Sequence, residues 1–320
     1  MLFLQLKLVS VVCLLNNPFQ NFKSLIMNLQ NIFSEIEKVD ADVYNRMDSR
    51  RSAMKEFANF SGKVALAAMP LALGSMFKKA YGQTPADVVD VLQFALTLEY
   101  LEAEFYTLGV ARSGVQTNAG AAGIAAFSKI RDHENTHVAF FKSVITSLGS
   151  TPIAKPNFDF TGGKGVPVVG PFQGWDTNYD VFLAVSQTLE DTGVRAFKGQ
   201  AGRLINNKTV LTAALNVHSV EARHASHVRQ MRRARGTSTA NTTLYSGSIK
   251  PWINQKDSNI GVAPYAAAVQ GNYNGEENIV QGGVTITSLP GNASLDAATA
   301  SFDEPLTKAQ VLMLVDPFIV

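Results

Sequence analysis

The sequence predicts an all-α fold: a four-helix bundle with one long crossover, followed by an irregular C-terminal extension. Three observations predict it. Four segments repeat apolar residues at three- and four-residue spacing; short turns join the first to the second and the third to the fourth; and a long Pro- and Gly-rich stretch joins the two pairs. The expected organisation is a leader over 1–83, the bundle over 84–236, and an extension over 237–320 packed on the bundle.

The first helix is expected over 84–110. Thr84 is placed as its N-cap, Pro85 as its first helical residue and Asp87 in its first turn. Leu92, Leu96, Glu99, Ala103 and Tyr106 then share one face. A turn rich in Gly, Ser and Asn is expected over 113–120. The second helix, over 121–148, carries Ile124, Phe127, Ile130, Val138, Phe141 and Ile145 as apolar positions and stops at Gly149. Residues 150–175 have no helical period and form the crossover. The third helix, over 176–205, passes through Phe182, Leu183, Leu189, Val194 and Phe197. Asn206, Asn207 and Lys208 turn the chain into the fourth, over 209–235, which ends at Gly236. Beyond it the composition shifts to Asn, Ser, Thr and Gly, with a short helical stretch after Pro305.

Composition narrows the function classes. With 46% hydrophobic residues and one cysteine in 320, the chain is neither a disordered tail protein nor a disulfide scaffold. The net charge of +2 comes from the leader, which holds ten of the 28 basic and six of the 26 acidic residues. The remainder carries 18 basic against 20 acidic groups, so nucleic acid is not an expected partner. Arg232, Arg233 and Arg235 close the fourth helix, where cations suit its dipole.

Within the leader, Ser49, Arg50, Arg51, Met54 and Lys55 precede a mostly apolar run over 57–77, and Lys78 and Lys79 follow it. This looks like a twin-arginine export signal, with Ala53 departing from the usual Phe. The other reading is a membrane-anchoring helix, but Gly62, Lys63, Pro70 and Gly74 interrupt the run and suit a cleavable segment better. Cleavage near residues 80–82 starts the mature chain at Gln83 or Thr84, in the periplasm or otherwise outside the cytoplasm, with no stable membrane span. Met1 and Met27 are alternative starts, and Cys13 lies upstream of the mature chain.

All five histidines fall in two windows, His133 and His137 on the second helix and His218, His224 and His227 on the fourth. Each window contains Glu-x-x-His: Glu134 with His137, and Glu221 with His224. Residues three apart lie about 60° apart around a helix, so a carboxylate and an imidazole converge on one metal position. The first and third helices each add a Glu within an apolar stripe, Glu99 and Glu190. A charge on a core face is costly unless paired or metal-bound. One Glu from each of two helices and Glu-x-x-His from each of the other two is the ligand pattern of di-iron and di-manganese carboxylate bundles. The bland alternative is six polar residues satisfying one another.

Hairpin geometry supports convergence. Level residues of an antiparallel pair lie equally far from the turn. The midpoint of 99 and 134 is 116.5, inside the expected 113–120 turn, and that of 190 and 221 is 205.5, at the turn before the fourth helix. Glu102, one turn from Glu99, supports or replaces it, with Glu99 favoured by its spacing to Tyr106. His218 is a supporting or packing residue, and His133 and His227 are partners on helix flanks or members of an unusual metal shell. Asp191 and Arg195 are expected to pair at i, i+4.

The segments 98–106 (LEYLEAEFY), 134–137 (ENTH), 188–197 (TLEDTGVRAF) and 219–224 (SVEARH) resemble the ferritin-like superfamily, and within it the exported ferritin-like domain family that includes desiccation-related proteins. The resemblance extends over most of 84–320, including residues 302–308. It implies a site for two iron ions, or alternatively manganese, held by Glu99, Glu134, His137, Glu190, Glu221 and His224, with Tyr106 accompanying the first ligand. Two functions are compatible with it. One is an oxidoreductase of ferroxidase, peroxidase or catalase type, with dioxygen or peroxide as partner and Tyr106 as hydrogen-bond donor or radical trap. The other is an exported stress-related structural or interaction protein in which the metal is structural or vestigial. A homodimer is compatible with either. With no cysteine pair in the mature chain, a rubredoxin-like electron-transfer module is not expected.

Overall fold

A computed structural model of the chain describes residues 85–165, 170–236, 244–261, 263–291 and 293–320. The expected leader over 1–83, with the candidate twin-arginine motif, Cys13 and both candidate starts, lies outside the described residues, as does the expected cap Thr84. Four long helices dominate: α1 (Pro85–Gly109), α2 (Ser113–Ser147), α3 (Tyr179–Ala201) and α4 (Lys208–Gly236). α1 packs chiefly on α2 and α3 on α4, and the two hairpins meet through contacts of α1 and α2 with α3 and of α2 with α4.

The ends follow local chemistry, with two corrections to the expected boundaries. The 113–120 turn is itself helical. α2 starts at Ser113 and is broken at Gly120, whose backbone sits at φ 64°, ψ 176°. That conformation needs a residue without Cβ strain and cannot propagate a helix axis. The continuous helix therefore resumes at 121, so Glu134 stays level with Glu99 despite the longer assignment. The second correction is at α3, which begins at Tyr179 and not at 176, because the Asn178 side chain accepts from the Asp180 N–H and caps it.

Apolar burial falls into two clusters stacked along the bundle. One contains Phe105, Tyr106, Phe127, Tyr179, Phe182 and Val228; the other contains Leu92, Leu96, Phe141, Ile145, Phe197 and Val210. Following each helix, the acidic candidates come at the passage from one cluster to the other. The polar layer thus lies between two dry ones, and its carboxylates are shielded from water at both ends.

α3 is buried from Tyr179 through Phe197, because residues after 244 cover the side that the bundle leaves open. Its polar residues there bond to this extension. Tyr273 Oη donates to Asp191 at 2.8 Å, Asn272 Nδ2 to Thr192 at 2.7 Å, and Gln187 Nε2 to the Ser258 carbonyl at 2.8 Å. The expected Asp191–Arg195 pair does not form. Asp191 pairs with Arg229 of α4 at 2.6 Å, and Arg195 with Glu276 of the extension at 2.7 Å. An i, i+4 pair gains little at a surface, whereas burial rewards partners that satisfy every donor. Arg232 is likewise a buried donor to Gln187 and to the carbonyls of Leu244 and Asn259, and not an exposed charge at a helix end.

The extension ends in a helix, Lys308–Val315, started by a capping box between Thr307 and Gln310. The last residues return to the crossover, where Phe158 and Ile319 form an antiparallel bridge.

Candidate metal centre

Glu99 on α1, Glu134 and His137 on α2, Glu190 on α3, and Glu221 and His224 on α4 converge between the two apolar clusters. The four carboxylates are fully buried, and the imidazoles are nearly so. They form two overlapping groups, Glu99–Glu134–His137–Glu221 and Glu134–Glu190–Glu221–His224, each with ligand atoms within 4.8 Å of one another.

The two shared acids divide their oxygens. His137 Nδ1 lies 3.2 Å from Glu134 Oε2 and 3.0 Å from Glu221 Oε1. His224 Nδ1 lies 2.8 Å from Glu134 Oε1 and 3.5 Å from Glu221 Oε2. Glu99 completes the first group, 3.1 Å from His137, and Glu190 the second, 3.5 Å from His224. Two carboxylates between two positions, with one carboxylate and one imidazole at each end, is an arrangement suited to a bridged pair of cations.

Hydrogen bonding supports that fit. Glu99 Oε1, Glu134 Oε1, Glu190 Oε2, both oxygens of Glu221 and His224 Nδ1 are buried without a hydrogen-bond partner, although several lie within 3 Å of another ligand atom. Lone pairs that crowd together without donors are the condition a cation relieves. The donor set of carboxylate oxygens with imidazole nitrogen suits iron or manganese. Charge agrees as well, since four carboxylates neutralise two divalent cations when both imidazoles are neutral.

In the absence of cations, protons must do this work. Burial pushes Glu99 well above the usual carboxylate range, with Glu221 and Glu134 adding to it against His137. Burial likewise lifts Glu190 to about 8. For Glu134, burial acts upward, but the close approach of the His137 and His224 imidazoles outweighs it and holds the acid at about 2. Burial disfavours charge on both imidazoles, yet the surrounding carboxylates, led by Glu99 for His137 and Glu190 for His224, raise them well above the ordinary value.

Glu102 is buried beside the cluster but belongs to neither group. Its carboxyl is pushed well above the usual carboxylate range by burial and then by Glu221 and Glu190. It faces α3 at Gly193, where a Cβ would approach Glu102 Oε1 to 3.1 Å; a glycine inside the helix leaves that acid its room. Tyr106, on the same helix as Glu99, takes the expected part of a hydrogen-bond donor at the site. Its hydroxyl donates to Glu190 Oε1 at 2.6 Å, across the bundle. His218 sits one turn before Glu221 with Val194, Lys198 and Asp303 around it, outside both groups, and His227 is exposed. His133, expected on a helix flank, bonds His224 through its ring nitrogen at 2.9 Å. Sequence spacing could place His133 beside Glu134 but not say which neighbouring helix it faces.

A four-helix bundle enclosing a carboxylate–imidazole centre compatible with metal is the class that fold and site define. Residues 87–234, spanning the four helices, match the family model of the ferritin-like domain. A search of curated proteins finds no match to the chain.

Proposed function

We propose that this protein holds a carboxylate-bridged pair of iron ions, with manganese as the alternative, and uses it to oxidise Fe(II) or reduce peroxide. The observation that carries this reading is the division of Glu134 and Glu221, each with one oxygen toward His137 and the other toward His224. Bound there, the metal pair supplies redox chemistry toward dioxygen or peroxide. Glu134 and Glu221, which belong to both groups, would hold both ions, Glu99 with His137 and Glu190 with His224 would complete the two positions, and Tyr106, bonded to Glu190, would orient it. The apolar clusters on either side exclude water.

The motifs quoted from the sequence favour the exported, desiccation-related branch of the ferritin-like proteins, with delivery outside the cytoplasm through the twin-arginine leader and with removal of that leader near residue 82. Among the described residues no helix is long and apolar enough to cross a membrane. The test is metal analysis of purified protein by anomalous diffraction at the iron and manganese edges, followed by turnover of Fe(II) or peroxide. Two ions per chain with turnover support the reading. Bound metal without turnover moves it to the structural, stress-related role, and no bound transition metal at micromolar supply removes the centre altogether.

A further inference from the structure

The ring of His224 has two sides. Nδ1 faces the carboxylates of Glu134, Glu190 and Glu221, while Nε2 lies 2.9 Å from Nδ1 of His133 on the facing helix α2. The two rings lie edge to edge and nearly coplanar, with centroids 5.2 Å apart and planes 17° apart, the geometry of an in-plane N–H···N bond. His133 is half-buried, so this contact links a buried ligand to the rim of the bundle.

We propose that His133 is a positioning residue for His224, and through it for the metal position formed by Glu134, Glu190, Glu221 and His224. This rests on the metal-pair reading above. A cation at His224 Nδ1 needs that lone pair, so the ring's proton sits on Nε2. That N–H donates to His133 Nδ1, and His133 keeps its own proton on Nε2. The bond fixes both the tautomer and the tilt of the ligand ring, the service that a carboxylate or a carbonyl performs for most metal-bound histidines. Here an imidazole performs it, supplied by the residue next to the bridging Glu134. The consequence is asymmetric: His133 supports the His224 position, while the His137 position is built from Glu99, Glu134, His137 and Glu221 without it.

The test is Co(II) titration of the metal-free full chain, read by visible absorption and by solvent-exchangeable, hyperfine-shifted imidazole protons. Wild type should bind two Co(II). His133→Phe keeps an aromatic ring at this position but removes the acceptor. It should weaken one of the two positions by about 10- to 100-fold and lose or broaden one exchangeable resonance, with helicity unchanged. His133→Asn restores an acceptor near Nδ1 and should recover most of that loss. Equal weakening of both positions in a folded His133→Phe protein, or wild-type binding and spectra in that variant, overturns the proposal. If wild type itself binds no Co(II), it is the metal-pair reading that falls.

Discussion

The hydroxyl of Tyr106 on α1 donates a 2.6 Å hydrogen bond to Glu190 Oε1 on α3, tying opposite hairpins together at the carboxylate layer. Both groups are fully buried. Tyr106→Phe keeps the ring among Phe105, Phe127 and Phe182 and removes only this donor. With Glu190 ionised by a bound metal, the loss should cost about 1.5–3 kcal/mol of stability. Chemical denaturation of the loaded protein measures it, and an unchanged midpoint contradicts the assigned bond.

Replacing Glu134 and Glu221 together by Ala should abolish binding of the metal pair, because both positions share these acids. The helices should persist, since removing two buried carboxylates also removes their mutual repulsion. Elemental analysis gives the stoichiometry and circular dichroism the helicity. Two ions retained per chain by the double variant would refute the bridging assignment.

Metal uptake should release protons and strengthen as pH rises. In the metal-free cluster Glu99 and the two imidazoles are raised above their ordinary values, and Glu190 stands at about 8, so these groups hold protons near neutrality. Cations bind the deprotonated forms, so affinity must rise with pH through the range where protons are still held, up to and beyond pH 8. Calorimetry in buffers of different ionisation enthalpy counts the released protons. Pairing energies that hardly change between pH 6 and pH 8 argue against cation binding at these six groups.

Asp191→Ala should loosen the C-terminal extension from α3. The substitution strands the buried guanidinium of Arg229 and removes the acceptor of Tyr273. Breaking one side of such a pair costs about 3–5 kcal/mol. Limited proteolysis should cut within 244–320 faster than in wild type while the 85–236 fragment resists. Simultaneous loss of both regions indicates instead that the bundle depends on its cover.

Replacing Arg50 and Arg51 by Lys should trap an uncut precursor inside the cytoplasm, if the leader is read by the twin-arginine machinery. Cell fractionation with N-terminal sequencing decides it. Normal export of the paired-Lys variant removes the twin-arginine assignment without touching the metal centre.

By itself, the sequence determined the four helices, their pairing and the six side chains that converge between the two apolar clusters. These signals are local and periodic: Glu-x-x-His fixes a helix face, and the position of a turn fixes which residues of a hairpin are level. Gly120 shows the limit within one helix, where a break in the axis preserved the level of Glu134 although the helix began eight residues before the expected start at 121. What only the tertiary structure decided are partners chosen across the molecule. Asp191 and Arg195 are four residues apart, yet each bonds elsewhere, because the extension buries that face of α3 and makes full satisfaction of their donors and acceptors decisive. Tyr106 likewise reaches Glu190 and not Glu99, and His133 reaches His224. Helical period states the direction in which a side chain leaves its own helix; the polar atom it meets is set by how the hairpins pack and by what covers them.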